Sequence, residues 1–122
     1  MSVSDNVIEF RPSADFTVAD DGVRDVALVF LGASLVVGVG DPKGQGWVTR
    51  VVGRTQHPDL ALTAYNLGLR GDTSAGALAR WQTEVPLRWQ GRTERRLVIS
   101  VGGNDVATGV SLARHRLNLA NI

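Results

Sequence analysis

The sequence predicts a three-layer α/β fold built on a parallel β-sheet. Three short apolar runs, each closely followed by a glycine, alternate with three segments whose apolar residues recur at helical spacing. This alternation of strand and helix is typical of right-handed crossovers, which place successive strands side by side and parallel. The runs are continuously apolar rather than alternating, as expected for strands that helices cover on both faces.

The three predicted strands are short runs rich in aliphatic residues. They cover residues 26–31, 60–66 and 97–101. Each has the length of an ordinary strand and the composition of a buried one. Glycine weakens the interior of a strand, so we expect the strands to end close to Gly32, Gly68 and Gly102.

The three predicted helices lie after the strands and are recognised by their apolar spacing. The first begins near residue 47 and ends before Pro58, and the second ends at Pro86, because proline has no N–H to donate. Residues 72–74 are Asp, Thr and Ser, which are all suitable caps for the start of the second helix. The third helix covers residues 110–122. Its predicted apolar face consists of Val110, Ala113, Leu117 and Ala120.

The composition fits a single globular domain and excludes several classes of protein. The chain has 122 residues, 13 basic and 12 acidic side chains, and no cysteine. The lack of cysteine rules out disulfides, thiolate metal sites and a cysteine nucleophile. The longest apolar stretch, residues 26–39, is interrupted by glycine and serine and is shorter than the ~20 residues that a membrane span needs. Because the first residues also lack the features of a secretory signal, we expect a cytoplasmic protein without a membrane span.

Charge divides the chain into two parts. Residues 1–25 contain six acids and two arginines, so we predict an acidic N-terminal extension there and one domain over residues 26–122. Within that domain a cluster of four arginines surrounds Trp89. The cluster consists of Arg88, Arg92, Arg95 and Arg96. A nucleic-acid surface would interleave bases with several aromatics, so the cluster predicts a solvated loop and no nucleic-acid partner.

Residues suited to acyl transfer follow each predicted strand. Residues 32–35 come after the first strand, residues 66–71 after the second and residues 102–105 after the third. The carboxyl ends of parallel strands meet at one edge of a sheet, which is where such folds bind ligands. These residues supply a hydroxyl, an unshielded backbone N–H and a side-chain amide. Acyl transfer requires this combination of a nucleophile and preorganised donors for a developing oxyanion.

Three short motifs at these positions resemble those of the SGNH hydrolases, the GDSL esterase and lipase superfamily. The motifs are Gly32-Ala33-Ser34-Leu35, Asn66-Leu67-Gly68 and Gly102-Gly103-Asn104-Asp105. The resemblance covers residues 26–122 and implies a flavodoxin-like sheet in the strand order 2-1-3. It also implies a hydrolase of small acyl esters that uses no metal or cofactor. In such an enzyme Ser34 would be the nucleophile, and the oxyanion hole would comprise the Ser34 N–H, the Gly68 N–H and the Asn104 side chain.

The sequence departs from the family pattern in two places. Ala33 stands where the family has an aspartate before the serine, so we expect a looser nucleophile turn. The family's Asp-x-x-His block, which supplies the acid and the general base, occurs nowhere in the chain. His57 precedes the second strand, at the opposite edge of the sheet, and His115 lies between two arginines on a helix face that we expect to be solvated. Neither histidine is expected to serve Ser34, and Asp105 is interpreted as an anchor for a helix N-terminus.

The missing block leaves two functional hypotheses open. By the resemblance, the chain is a truncated and weakly active or incomplete ester hydrolase whose base comes from elsewhere. Alternatively, it is a non-catalytic binding or assembly module derived from the same fold. The resemblance also implies that two further strands are absent, which would leave the third strand as an open edge. Such an edge predicts self-association or a partner polypeptide.

Nucleotide binding is a weaker alternative. Gly38, Gly40 and Gly44 match part of a dinucleotide-binding fingerprint, but the third glycine is misplaced. The second strand also ends at Asn66, where a ribose-binding site would have an acidic residue. The glycines of this segment are therefore interpreted as turn residues.

Overall fold

The computed structural model describes residues 22–122 and contains a central sheet between two layers of helices. The elements, in chain order, are β1 (Arg24–Gly32), α1 (Ser34–Val37), α2 (Gly46–Arg54), β2 (Leu60–Gly68), α3 (Ser74–Trp89), β3 (Glu94–Ser100), α4 (Gly103–Ala107) and α5 (Leu112–Ala120). On one face of the sheet, α1 and α2 enclose a hydrophobic cluster around Phe30. The rings of Phe30 and Trp47 pack edge to face, with their centroids 5.6 Å apart. On the other face, α3 contacts β1 and packs against α5.

The three strands are parallel and lie in the order β2-β1-β3, which confirms the predicted order 2-1-3. β1 is central, and its residues 26–32 are all buried. The register places Gly32 of β1 level with Gly68 of β2 and with Ser100 of β3. The strands therefore end together, and the loops that follow them meet at one edge of the sheet.

β3 begins at Glu94, ahead of its predicted start at residue 97, because its charged residues are paired. The Glu94 side chain is 1% exposed and lies 2.6 Å from the Arg24 guanidinium and 3.1 Å from that of Arg96. Arg92 in turn lies 3.3 Å from the Asp25 carboxylate. The interpretation of the arginine cluster as a solvated loop is therefore wrong for Arg92 and Arg96, which neutralise carboxylates within the fold.

The helices depart from the prediction in their lengths and in one buried face. α3 continues through Pro86 to Trp89. The bond that Pro86 cannot make would go to the Gln82 carbonyl, and both residues are exposed, so water can replace it. In α5 the buried residue is Asn118 while Leu117 is 48% exposed, so the predicted apolar face of this helix is wrong. The short helices α1 and α4 escaped prediction because four or five residues do not show a helical period.

The predicted extension overlaps the first strand. β1 starts at Arg24 and includes Asp25, so these two residues of the predicted extension belong to the sheet. Residues 1–21 lie outside the described part of the chain. Between residues 22 and 122, no helix has both the length and the hydropathy that crossing a bilayer would require.

Candidate active site

A cavity of about 320 Å³ opens at the carboxyl edge of the sheet, between the loops that follow β1 and β3. Its wall is formed by residues 33–35 and residues 100–104. The structure therefore places Ser34, the predicted nucleophile, and Asn104, a predicted oxyanion donor, on the same cavity. Gly68 is not part of this wall, because β2 lies on the other side of β1 from β3.

Ser34 is the first residue of a tight turn that becomes α1. The N–H groups of Val36 and Val37 donate to the Ala33 carbonyl at 3.0 and 3.1 Å, and the Gly38 N–H donates to the Ser34 carbonyl at 3.0 Å. Ala33 provides no side-chain cap for this turn. Ser34 is half-buried, and its hydroxyl makes no hydrogen bond to any described residue. The hydroxyl is therefore available to a molecule in the cavity.

The Gly68 N–H is already engaged in the structure. It donates to the side-chain oxygen of Asn66 at 2.9 Å. The amide nitrogen of Asn66 donates in turn to the Val36 carbonyl at 2.7 Å, so this side chain joins the end of β2 to α1. The only sequence signal for this link is an asparagine two residues before the motif glycine, and it did not indicate a role for the Asn66 side chain.

The Asn104 side chain is held by one of its two amide hydrogens. Its nitrogen donates to the Asp72 carbonyl at 2.8 Å, and this nitrogen has a second hydrogen that no described acceptor takes. The Asp72 loop is fixed in turn by Arg80. The position of the Asn104 amide thus depends on the loop that precedes α3.

Arg80 ties this loop to the ends of two strands. Its guanidinium lies 2.7 Å from the Asp72 carboxylate and donates to the Leu67 and Gly32 carbonyls at 2.9 and 3.3 Å. Burial lowers the pKa of Arg80, but its hydrogen bonds with Asp72 and Glu84 outweigh burial and raise the pKa above its ordinary value. A permanently charged group therefore lies beneath the carboxyl edge of the sheet. Nothing in the local sequence pattern indicated this role.

A polar network lies between α3, α4 and α5. Asp105, whose side chain is 3% exposed, accepts the Ser74 N–H at 2.8 Å and the Ser74 hydroxyl at 2.5 Å, and lies 2.6 Å from His115 Nδ1. Asn118 Nδ2 donates to the Ser74 hydroxyl at 3.0 Å. Burial raises the pKa of Asp105, but the bonds from Ser74 and His115 prevail and lower it below its ordinary value. Asp105 therefore anchors the first residue of α3 rather than only its own helix.

The two histidines differ in their surroundings. His57 is exposed and accepts the Asp59 N–H at 3.1 Å, just before β2. The solvated position predicted for His115 is wrong, because its side chain is 20% exposed and bound to Asp105. Neither histidine lines the Ser34 cavity. Within residues 22–122, no three side chains of the usual metal-binding types come together at a common point.

Comparison with known proteins shows the family to which the chain belongs. Residues 30–122 match the model of the GDSL-like Lipase/Acylhydrolase family. The chain therefore belongs to this family, which confirms the resemblance carried by its three motifs.

The individual relatives that the chain resembles include esterases. The chain is 33% identical to Esterase TesA of Pseudomonas aeruginosa over 95 residues, which are 78% of this chain and 45% of that protein. The crystal structure of AlinE4, an SGNH-hydrolase family esterase, matches 81% of this chain at 27% identity with a TM-score of 0.68. The crystal structure of TesA matches 78% of it at 33% identity with a TM-score of 0.63. Both matches cover 51% of the solved chains, so this chain spans about half the length of these relatives.

Proposed function

We propose that this chain supplies the nucleophile and part of the oxyanion hole of an SGNH-type acyl-ester hydrolase. The observation that carries the proposal is the cavity that Ser34 and Asn104 line together. Ser34 has an unengaged hydroxyl there, and Asn104 has an unengaged amide hydrogen. Membership of the family and similarity to esterases support the same chemistry.

In the proposed reaction, Ser34 Oγ attacks the carbonyl carbon of an ester while a general base removes the hydroxyl proton. The resulting oxyanion accepts hydrogen bonds from the Ser34 N–H and the free amide hydrogen of Asn104. The C–O bond to the alcohol then breaks, and the alcohol leaves with the proton. Water hydrolyses the acyl-enzyme in the same way and restores the hydroxyl. Gly68 can contribute its N–H only when Asn66 releases it.

The described residues place no histidine beside Ser34 to act as its general base. No histidine lines the cavity, and losing the base of a comparable triad costs on the order of 10⁴–10⁶ in turnover. We therefore expect weak hydrolysis by this chain alone and faster hydrolysis when a base is provided. A second polypeptide or an added small molecule can provide one.

The test is hydrolysis of a short-chain p-nitrophenyl ester by the full chain, with and without added imidazole as a diffusible base. We expect a slow rate that imidazole increases above its own background, and loss of both the basal and the rescued rate in Ser34→Ala. Thr49→Ala, which removes an exposed hydroxyl from α2, is the control and should keep both rates. Equal rates for Ser34→Ala and the unmodified chain would dismiss Ser34 as the nucleophile.

One observation favours a second candidate, a non-catalytic binding module. The Gly68 N–H is bonded to Asn66 rather than left open, so one of the three predicted oxyanion donors is already used. A binding module would retain the cavity without turnover. In that case imidazole would leave the rate at background, and Ser34→Ala would match the unmodified chain.

A further inference from the structure

One nitrogen of the Arg80 guanidinium contacts three segments at the carboxyl edge of the sheet. Nη2 lies 2.7 Å from the Asp72 carboxylate and donates to the Leu67 and Gly32 carbonyls at 2.9 and 3.3 Å. Gly32 ends β1, Leu67 lies near the end of β2, and Asp72 precedes α3. Nη1 donates to Glu84, one turn further along α3, at 3.0 Å, and the Arg80 side chain is 16% exposed. The guanidinium is therefore held in one place by the fold.

The bond to Leu67 fixes the peptide group that carries the Gly68 N–H. The Leu67 carbonyl and the Gly68 N–H belong to the same peptide. This peptide is trans, so its C=O and N–H point in opposite directions. By holding the carbonyl, Arg80 directs the Gly68 N–H away from its own guanidinium. The Asn66 side chain accepts that N–H at 2.9 Å, so the peptide is held at both ends.

A second route leads from Arg80 to the amide of Asn104. Arg80 Nε and Nη2 donate to one oxygen of the Asp72 carboxylate at 3.0 and 2.7 Å. The other oxygen accepts the Thr73 N–H at 3.0 Å. This N–H shares its peptide with the Asp72 carbonyl, which accepts Asn104 Nδ2 at 2.8 Å. The ion pair between Arg80 and Asp72 thus orients the peptide to which the Asn104 side chain is bonded.

We propose that Arg80 is a positioning residue for the oxyanion hole, and that it couples the Gly68 N–H to the Asn104 amide through one guanidinium group. The two donors follow β2 and β3, which lie on opposite sides of β1. Oxyanion donors act only when they are within hydrogen-bond distance of the developing charge, so a shared anchor keeps both in their positions. The effect on catalysis rests on the proposed function, whereas the coupling of the two amides does not.

The coupling is tested by NMR on the ¹⁵N-labelled full chain and on Arg80→Met, which replaces the guanidinium by an apolar, unbranched side chain. We expect the backbone N–H signal of Gly68 and the side-chain NH₂ signals of Asn104 to shift together in this variant. Arg80→Lys keeps the charge and one donor nitrogen, so it should shift the same signals by less. Arg92→Met is the matched control, because it removes a partly buried arginine that is paired with Asp25 at the start of β1. It should leave both sets of signals in place.

The effect on catalysis is tested in the ester hydrolysis assay with added imidazole. The donors stabilise the transition state rather than the bound ester, so Arg80→Met should leave KM unchanged and lower kcat. We expect a fall of about tenfold, less than the roughly 10²–10³-fold that loss of a whole oxyanion donor costs. Arg92→Met should keep both constants, and Arg80→Lys should recover part of kcat.

Three results would overturn the proposal. The first is that the signals of folded Arg80→Met stay in place or move at one of the two donors only, and the second is that Arg92→Met moves them equally. The third is a rise in KM with kcat unchanged. Should Arg80→Met fail to fold, Arg80→Lys is judged by the same signals. Lack of hydrolysis by the unmodified chain would count against the esterase proposal alone, since the NMR comparison needs no activity.

Discussion

The side chain of Asn66 accepts the Gly68 N–H at 2.9 Å and at the same time donates to the Val36 carbonyl at 2.7 Å. One amide thus connects the end of β2 to the turn that presents Ser34. Since each hydrogen bond contributes about 0.5–1.5 kcal/mol net, this link is a measurable part of the stability of the site.

Replacing this amide should therefore loosen the edge of the sheet. We expect Asn66→Ala to lower the free energy of unfolding by about 1–2 kcal/mol, because two hydrogen bonds are lost together. Denaturant unfolding followed by circular dichroism measures the change. Asn121→Ala is the matched control, because the Asn121 side chain makes no hydrogen bond to any described residue. Equal stability of the two variants would show that the Asn66 link contributes nothing.

The last residue of β1, Gly32, has no room for a side chain. A Cβ on Gly32 would clash with the Ser100 carbonyl and with the Val36 side chain, so the close approach of β3 and α1 requires glycine here. We expect Gly32→Ala to destabilise the fold by about 1–3 kcal/mol through overpacking, as measured by thermal or denaturant unfolding.

A second glycine gives the opposite expectation and serves as the control. Gly53 lies within α2, and a Cβ there would meet nothing within 4 Å. Gly53→Ala should raise stability by about 0.5–1 kcal/mol, because alanine loses less backbone entropy in a helix. The same sign of change in both variants would contradict the packing argument at Gly32.

The sheet and the position of the site could be predicted because they depend on local patterns. Continuous apolar runs identify buried parallel strands, and the ends of such strands share one edge whatever the detailed packing. For this reason the sequence alone predicts that Ser34 and Asn104 lie at the same edge of the sheet. β1, which is buried throughout residues 26–32, shows the apolar pattern most clearly.

The buried ion pairs and the polar network could not be predicted, because they join residues that are far apart in the sequence and a single sequence does not reveal such pairs. Glu94 is buried because it pairs with Arg24, which lies 70 positions away in the sequence. Without knowledge of that pair, the charged residues at the start of β3 resemble those of a solvated loop. Arg80 meets the Gly32 carbonyl from 48 positions away. The apolar stripe of α5 was misleading for a similar reason, since His115 and Asn118 face a buried polar network that lies in other elements.

The lowered pKa of Asp105 leads us to expect that the free energy of unfolding depends on pH in the acidic range. Its pKa is lowered below the ordinary value of 3.8 because the bonds from Ser74 and His115 outweigh burial. A carboxylate whose pKa is depressed in the folded state contributes stability that is complete above the unfolded pKa and is lost as the pH falls through the folded pKa. We therefore expect Asp105→Asn to cost about 2–4 kcal/mol at pH 6, and the difference from the unmodified chain to shrink as the pH falls from 5 to 3.

Unfolding free energies at several pH values measure this dependence. Asp59→Asn is the control, since the Asp59 side chain is 79% exposed, and it should differ little from the unmodified chain at any pH. A difference between Asp105→Asn and the unmodified chain that stays constant from pH 6 to pH 3 would contradict the assignment of an ionised, hydrogen-bonded Asp105.

The outer edge of β3 predicts the behaviour of the chain in solution. In the described part of the chain β3 pairs with β1 alone, and unpaired strand edges invite pairing with another chain unless a charged side chain discourages it. Arg95 is exposed on β3, beside a cleft of about 360 Å³ that Leu87 and Trp89 also line. We expect concentration-dependent self-association, measured by size-exclusion chromatography with light scattering, and stronger association in Arg95→Val. Arg95→Lys keeps the charge and should behave as the unmodified chain. If all three proteins remain monomeric at every concentration, self-association through this edge is excluded.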